Sequence, residues 1–132
     1  MKINKQEINK KNYVDEAERV IIGLKQADRS GRLTLTTSKI RNILSMVSEL
    51  YTDAQHSREE KLNEDMVSRV QYLKMRIAYE AGRDGSVKAF VDAASLLNYV
   101  GDIGNSRQNL ILFCNYMEAL VAYHRFYGGR DK

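Results

Sequence analysis

Few side chains in this 132-residue chain are of a kind that breaks bonds, and their spacing keeps them apart. The single cysteine, Cys114, falls on an apolar helical stripe with Leu110, Phe113 and Met117, where a thiol acts as a small hydrophobe rather than a nucleophile. His124 extends that stripe past Leu120 and Val121 and reads as a packed or interfacial residue, while His56 stands in a polar stretch. Neither histidine has an arginine a few residues before it, so the Arg-then-His arrangement of some all-helical ribonucleases is missing. There is no cysteine pair, no His-x-x-x-His and no acidic EF-hand-type loop. The glycines of GRDG and YGGRD read as helix terminators, not phosphate cradles. The expectation is a protein without catalytic residues, metal or cofactor.

The cations are more informative. Arg69, Arg76 and Arg83 recur every seven residues, so each lies within about 20° of the next around a helix, about 10.5 Å further along its axis. That rise is roughly three nucleotide steps of a stretched strand. Tyr72 and Tyr79 fall on the same flank, and arginine interleaved with tyrosine suits phosphate contact with sugar or base packing. The same pattern also fits a solvated face in which Glu80 pairs with Arg76 or Arg83.

A second cationic feature is TLTTSKIRNIL, residues 34–44. It lies within a window, Arg29 to Ser48, that holds four basic residues and no acid, a surplus equal to the chain's whole net charge of +4. Lys39 and Arg41 emerge in the first turns of a helix, on opposite flanks of its Ile40/Ile43/Val47 stripe, where cations oppose the dipole. A phosphate at that N-terminus would repair the mismatch.

The elements that position these residues are helices. Proline is absent, and apolar residues repeat at helical spacing throughout. Residues 13–29 form the first helix, with Val14, Ala17, Val20, Ile21 and Leu24 on one face. The second starts at Thr37 or Ser38 and runs to about Ala54, followed by a polar loop over 52–63. The third carries Leu62, Met66, Val70, Leu73, Ile77 and Ala81 and ends at AGRDG. Residues 86–103 form the fourth and 105–129 the fifth, which buries Leu110, Phe113 or Cys114, Met117, Leu120 and Val121 and stops at a glycine pair. The expected fold is all-α: a bundle of about five helices without a sheet, spanning 13–132, behind a flexible or partly helical segment over 1–12. One cysteine suits a reducing compartment, and there is neither a signal-peptide pattern nor an apolar run long enough for a membrane span, so a cytoplasmic protein is expected.

Four segments in order, YVDEAE, LTTSKIRNIL, RIAYEAGRD and YMEALVAYHRFYGGRD, resemble the small subunit of the type III-A CRISPR–Cas effector, the Csm complex. The likeness runs from Tyr13 to Lys132. It implies a prokaryotic, non-catalytic helical subunit that stacks in several copies along a ribonucleoprotein filament. That subunit lies opposite the backbone subunit, beside the large cyclase/nuclease subunit, and holds target RNA paired to its guide by sequence-independent contacts. Carried onto this chain, the role falls on Lys39 and Arg41 of TTSKIRN and on Arg76 and Arg83 of RIAYEAGR. Arg69 and Lys74 join them on helical geometry alone, and Arg125 suits either RNA or a protein neighbour. Two other classes stand beside this one: a helix-turn-helix-like DNA-binding protein, and a helical adaptor whose basic face docks an acidic protein.

Overall fold

The computed structural model describes residues 7–131, and the described residues are helical apart from connections and one isolated antiparallel bridge. Six helices follow in order: α1 (Tyr13–Ala27), α2 (Thr37–His56), α3 (Glu64–Arg83), α4 (Gly85–Ala93), α5 (Leu96–Ile103) and α6 (Arg107–Phe126). Each owes its place to its apolar stripe. The α3 stripe Met66, Val70, Leu73, Ile77 and Ala81 is wholly buried, as its spacing predicts. α6 packs against both α1 and α2, and its Leu110, Phe113, Tyr116, Met117 and Leu120 form the middle of the core. Cys114 is buried beside Phe113, so both candidates for that core position fill it, whereas Val121 is only half-buried. Val14, expected on the core face of α1, is exposed. No helix among the described residues is long and apolar enough to cross a membrane.

The single helix expected over 86–103 is two. It breaks at Ser95, whose φ of 55° is left-handed. The cause is tertiary: the buried Tyr116 hydroxyl donates to the carbonyl of Ala94 at 2.9 Å. The break lets Phe90 and Val91 of α4 and Leu96 and Val100 of α5 face one core.

The loop expected over 52–63 is shorter. α2 continues to His56 because Ala54 prolongs the Val47/Leu50 stripe into the core. The remaining connection is held at its end, where Leu62 N–H donates to Asn105 O (2.7 Å) and Arg107 N–H to Glu60 O (3.1 Å). Arg107 Nε also caps the Ala54 carbonyl at 2.6 Å.

Of the stretch 1–12, residues 1–6 lie outside the described range. Asn9–Asn12 form a hydrogen-bonded turn that leads into α1, with Asn9 Oδ1 accepting from the N–H of Lys11 and Asn12. Ile8 packs on the core.

Candidate nucleic-acid interface

Four of the six candidate cations, Lys39, Arg69, Arg76 and Arg83, gather around a trough between α2 and α3. Two clefts of about 390 Å³ each share Asn42 and Arg76 as walls. One reaches Arg69, Tyr72 and Glu49; the other reaches Lys39, Glu80, Arg83 and Asp84. Helical spacing aligns the three arginines here as predicted, and Tyr72 and Tyr79 stand on the same flank, 57% and 60% exposed. Met75, 55% exposed, completes that ribbon. Its signal was in the sequence, at the i, i+3, i+7 spacing of 72, 75 and 79.

The cations are not left without carboxylates, as the acid-free window suggested. Lys39 Nζ lies 2.6 Å from Asp84 Oδ2. Asp84 is also the N-cap of α4: its Oδ1 accepts from the N–H of Ser86 (2.9 Å) and Val87 (3.4 Å) and from the Ser86 hydroxyl. The Lys39 ammonium, then the Ser86 hydroxyl, hold the Asp84 carboxyl well below the usual carboxylate range. Arg69 pairs with Asp53 at 2.7 Å and, more distantly, with Asp65 at 3.8 Å. Arg76 and Arg83 share one carboxylate, Glu80, at 3.6 and 3.7 Å. Arg76 also reaches the Tyr72 hydroxyl at 3.5 Å, and the Arg83 guanidinium lies 5.7 Å from the centre of the Tyr79 ring. The pairing of Glu80 with both arginines is the solvated-face arrangement that the sequence left open.

The N-terminus of α2 differs from expectation too. Its cap is Thr36, one residue before the predicted start, with Oγ1 accepting from Lys39 N–H at 3.3 Å. The preceding N–H groups are taken by the chain's own tail: Thr37 donates to Arg130 O (3.0 Å) and Ser38 to Asp131 Oδ1 (2.9 Å). The Ser38 hydroxyl donates to the same oxygen at 2.7 Å. Where a phosphate was expected, a carboxylate sits, held below its ordinary range chiefly by Ser38, with Arg125 and Arg41 contributing. Arg41, on the other flank of α2, has no ion pair within 4.0 Å among the described residues and is exposed. Lys74 lies across the core stripe from the other α3 cations, its Nζ 3.7 Å from where a Cβ on Gly101 of α5 would stand. It does not line the trough.

The groups with chemical potential elsewhere are separated and engaged. Burial pushes the Cys114 thiol up to about 12, which keeps it protonated. His124 is buried with Nε2 2.7 Å from Leu35 O, as a packed histidine. His56 is exposed on the last turn of α2, with Nδ1 2.8 Å from Thr52 O. No group of three or more metal-ligating side chains occurs among the described residues.

Comparison with known proteins assigns the family. A family model described as Csm2 Type III-A matches residues 9–130. A Streptococcus thermophilus protein named CRISPR system Cms protein Csm2 is 46% identical over 120 residues, covering 91% of this chain and 94% of its own. A protein of the same name from Mycobacterium tuberculosis is 41% identical over 121 residues, covering 92% and 95%. One from Enterococcus italicus is 38% identical over 95 residues, covering 70% and 68%. With the family model spanning nearly the whole bundle and similarity extending almost end to end in two relatives, the chain belongs to the Csm2 family of type III-A CRISPR systems.

Proposed function

We propose that this chain, as the small subunit of the type III-A Csm complex, is a non-catalytic holder of target RNA. Copies stacked along a cytoplasmic ribonucleoprotein filament, opposite the backbone subunit and beside the large cyclase/nuclease subunit, keep target RNA paired to its guide by gripping the sugar–phosphate backbone. One observation carries this reading: Arg76 and Arg83 share a single distant carboxylate beside the exposed Tyr72 and Tyr79. Ion pairs of 3.6–3.7 Å between such exposed guanidiniums and a carboxylate contribute little and are screened by salt. A phosphate accepting bidentate guanidinium bonds displaces them readily. Two cations against one acid also leave a surplus charge. Lys39 and Arg69, each held within 2.7 Å by a carboxylate, contribute less, and Arg41 adds a contact from the far flank of α2. The tyrosines offer faces to ribose or base without reading sequence.

The test is the assembled complex carrying Arg76→Ala with Arg83→Ala. If a copy neutralises three to four phosphates, log affinity falls with log salt at a slope of about −2 to −3 per copy. Losing two contacts makes that slope shallower by about 1.4 and weakens retention equally for every target matched to its guide. A doubly substituted complex that assembles and holds RNA with the parental slope sinks the proposal. An adaptor for an acidic protein would give no RNA crosslink at Arg76. The helix-turn-helix alternative gains nothing from the α2–α3 connection over 57–63, which is longer than that motif's turn of about 3–4 residues.

A further inference from the structure

A second concave site lies outside the trough, where the end of α1, the turn after it and the tail after α6 converge. Its lining is Lys25, Gly31, Arg32, Leu33, Tyr127, Gly128 and Arg130: three cations and no acid. Its volume is about 170 Å³, below the roughly 300–1,000 Å³ of pockets that hold whole drug-sized ligands. We infer that this is an anion-binding subsite for a phosphate group, made by Lys25, Arg32 and Arg130.

The local fold explains both the convergence and the missing acid. At the end of α1, Asp28 turns its carboxylate onto the turn: Oδ1 accepts from the N–H and hydroxyl of Ser30 (2.9 and 2.6 Å), and Oδ2 from the Thr34 hydroxyl. Gly31 N–H donates to Asp28 O, and its φ of 70° swings the chain back so that Arg32 reaches the pocket. After α6, Gly128 adopts φ 98° and donates its N–H to Arg125 O at 3.1 Å, while Gly129 N–H closes onto His124 O at 2.8 Å, a Schellman-type glycine stop. The tail then passes Arg130, whose carbonyl is pinned by Thr37 N–H. Lys25 donates to Tyr127 O at 2.9 Å, fixing one wall. The three carboxylates of the region are committed elsewhere: Asp28 to Ser30 and Thr34, Asp131 to Ser38, and Glu18 to the Tyr127 hydroxyl at 2.6 Å. No described carboxylate lies within the 4.0 Å of an ion pair from Lys25, Arg32 or Arg130. One bound carboxylate would leave two of these cations unneutralised. A multiply charged phosphate, or successive phosphodiesters of one strand, answers more than one of them, and two guanidinium forks match phosphate oxygens.

The pocket stands by itself; only naming an RNA phosphodiester as the phosphate's source rests on the proposed function. The test is amide NMR of the full chain titrated with inorganic pyrophosphate at low salt. Saturable shifts at Gly31, Leu33 and Gly128 are expected. They weaken about tenfold or more with Arg32→Ala plus Arg130→Ala, and survive Arg76→Ala plus Arg83→Ala. Both pocket substitutions fall on exposed side chains, and Arg130 is tied down through its backbone, so the fold is retained. Arg32→Glu serves as a second variant that reverses the charge without touching the tail. A single-stranded oligouridylate then replaces pyrophosphate. Shifts at the same amides identify a phosphodiester source, and a response to pyrophosphate alone identifies a free phosphate compound; both support the pocket. The inference is overturned if pyrophosphate gives no saturable shift, if the shift persists in both pocket variants, or if only an acidic peptide binds. No pyrophosphate response in the parent chain, with RNA retention still sensitive to Arg76 and Arg83, removes this inference and leaves the trough. The converse removes the trough and leaves the pocket.

Discussion

The trough between α2 and α3 and the pocket at the end of α1 are both rich in cations, and they treat them in opposite ways. Around the trough Lys39, Arg69, Arg76 and Arg83 meet Asp53, Asp65, Glu80 and Asp84 within 4.0 Å, so cations and acids balance in number, with the local surplus at Arg76 and Arg83, which share Glu80. In the pocket Lys25, Arg32 and Arg130 have nearby acids that are all turned to hydroxyls and N–H groups. The periodic trough was the more conspicuous in the sequence, yet it is the pocket whose cations have no described carboxylate within ion-pair distance. The difference teaches that the number of cations along a helix does not alone set the potential it presents. What sets it is also how near each acid's charge stands to those cations.

The largest way to break this contrast is to remove the tail that builds the pocket. A Cβ on Gly129 would fall within 3.0 Å of three ring atoms of His124, which is itself buried and fixed to Leu35 O at 2.7 Å. Gly129→Ala therefore has to push the tail off. Overpacking of this kind costs about 1–3 kcal/mol, read as a lower urea midpoint. Arg130 should leave the pocket and Asp131 should leave Ser38, so the pyrophosphate response is lost while the trough's salt slope in the assembled complex survives. A variant as stable as the parent would mean that the tail is not wedged against the histidine.

The parts of this contrast that were legible in the sequence are the local ones. The α3 core stripe and the Arg69/Arg76/Arg83 line follow from a periodicity carried within one helix. The glycine stop of α6 did too. What could not be read locally depends on partners distant in the chain. Ser95 breaks a helix with no glycine or proline within five residues of it because Tyr116 claims the Ala94 carbonyl. Lys39 looked unpaired because Asp84 belongs to the cap of another helix, and the α2 N-terminus looked vacant because Asp131 lies 93 residues away. Arg32 stood in the acid-free window, but its association with Arg130 required the tail to return. Lys74 shared a helix with the arginines and still fell on its other side.

A sharper and smaller test sits at Asp84, where the capping and clamping roles can be separated. Asn is as good an N-cap as Asp, so Asp84→Asn keeps the bonds from Ser86 and Val87 and removes only the charge facing Lys39. The trough then gains one unneutralised cation. In the assembled complex the salt slope should steepen by about 0.7, with RNA held several-fold tighter at low salt and thermal stability slightly lower near neutral pH, where the lowered Asp84 pKa no longer contributes. Lys39→Ala in the parent should cost less than Arg76→Ala, because Lys39 is already occupied. Equal losses from the two, or no gain from Asp84→Asn, would show that the clamp opens freely and that the charge balance around the trough does not limit binding.

The smallest expected effect concerns the acid end of the pH range, and it compares the same two kinds of carboxylate. Asp28 is held down to about 2, first by the Ser30 hydroxyl and then by Thr34; Asp84 is lowered first by Lys39, and Asp131 first by Ser38. Each folded pKa lies below the ordinary aspartate value of 3.8, so the folded state binds fewer protons than the unfolded chain as pH falls through this range. The stability these groups contribute is therefore complete above about pH 4 and drains away as pH drops towards 2. A melting-temperature profile should be flat from pH 7 to about 5 and fall below about 4. Asp28→Asn should soften that fall at the lowest pH without altering the neutral salt slope, because its carboxylate serves the turn and not a cation. Asp84→Asn should soften it and change the slope together. If the two variants behave alike in both measurements, the distinction between acids that cap and acids that clamp does not hold in this molecule.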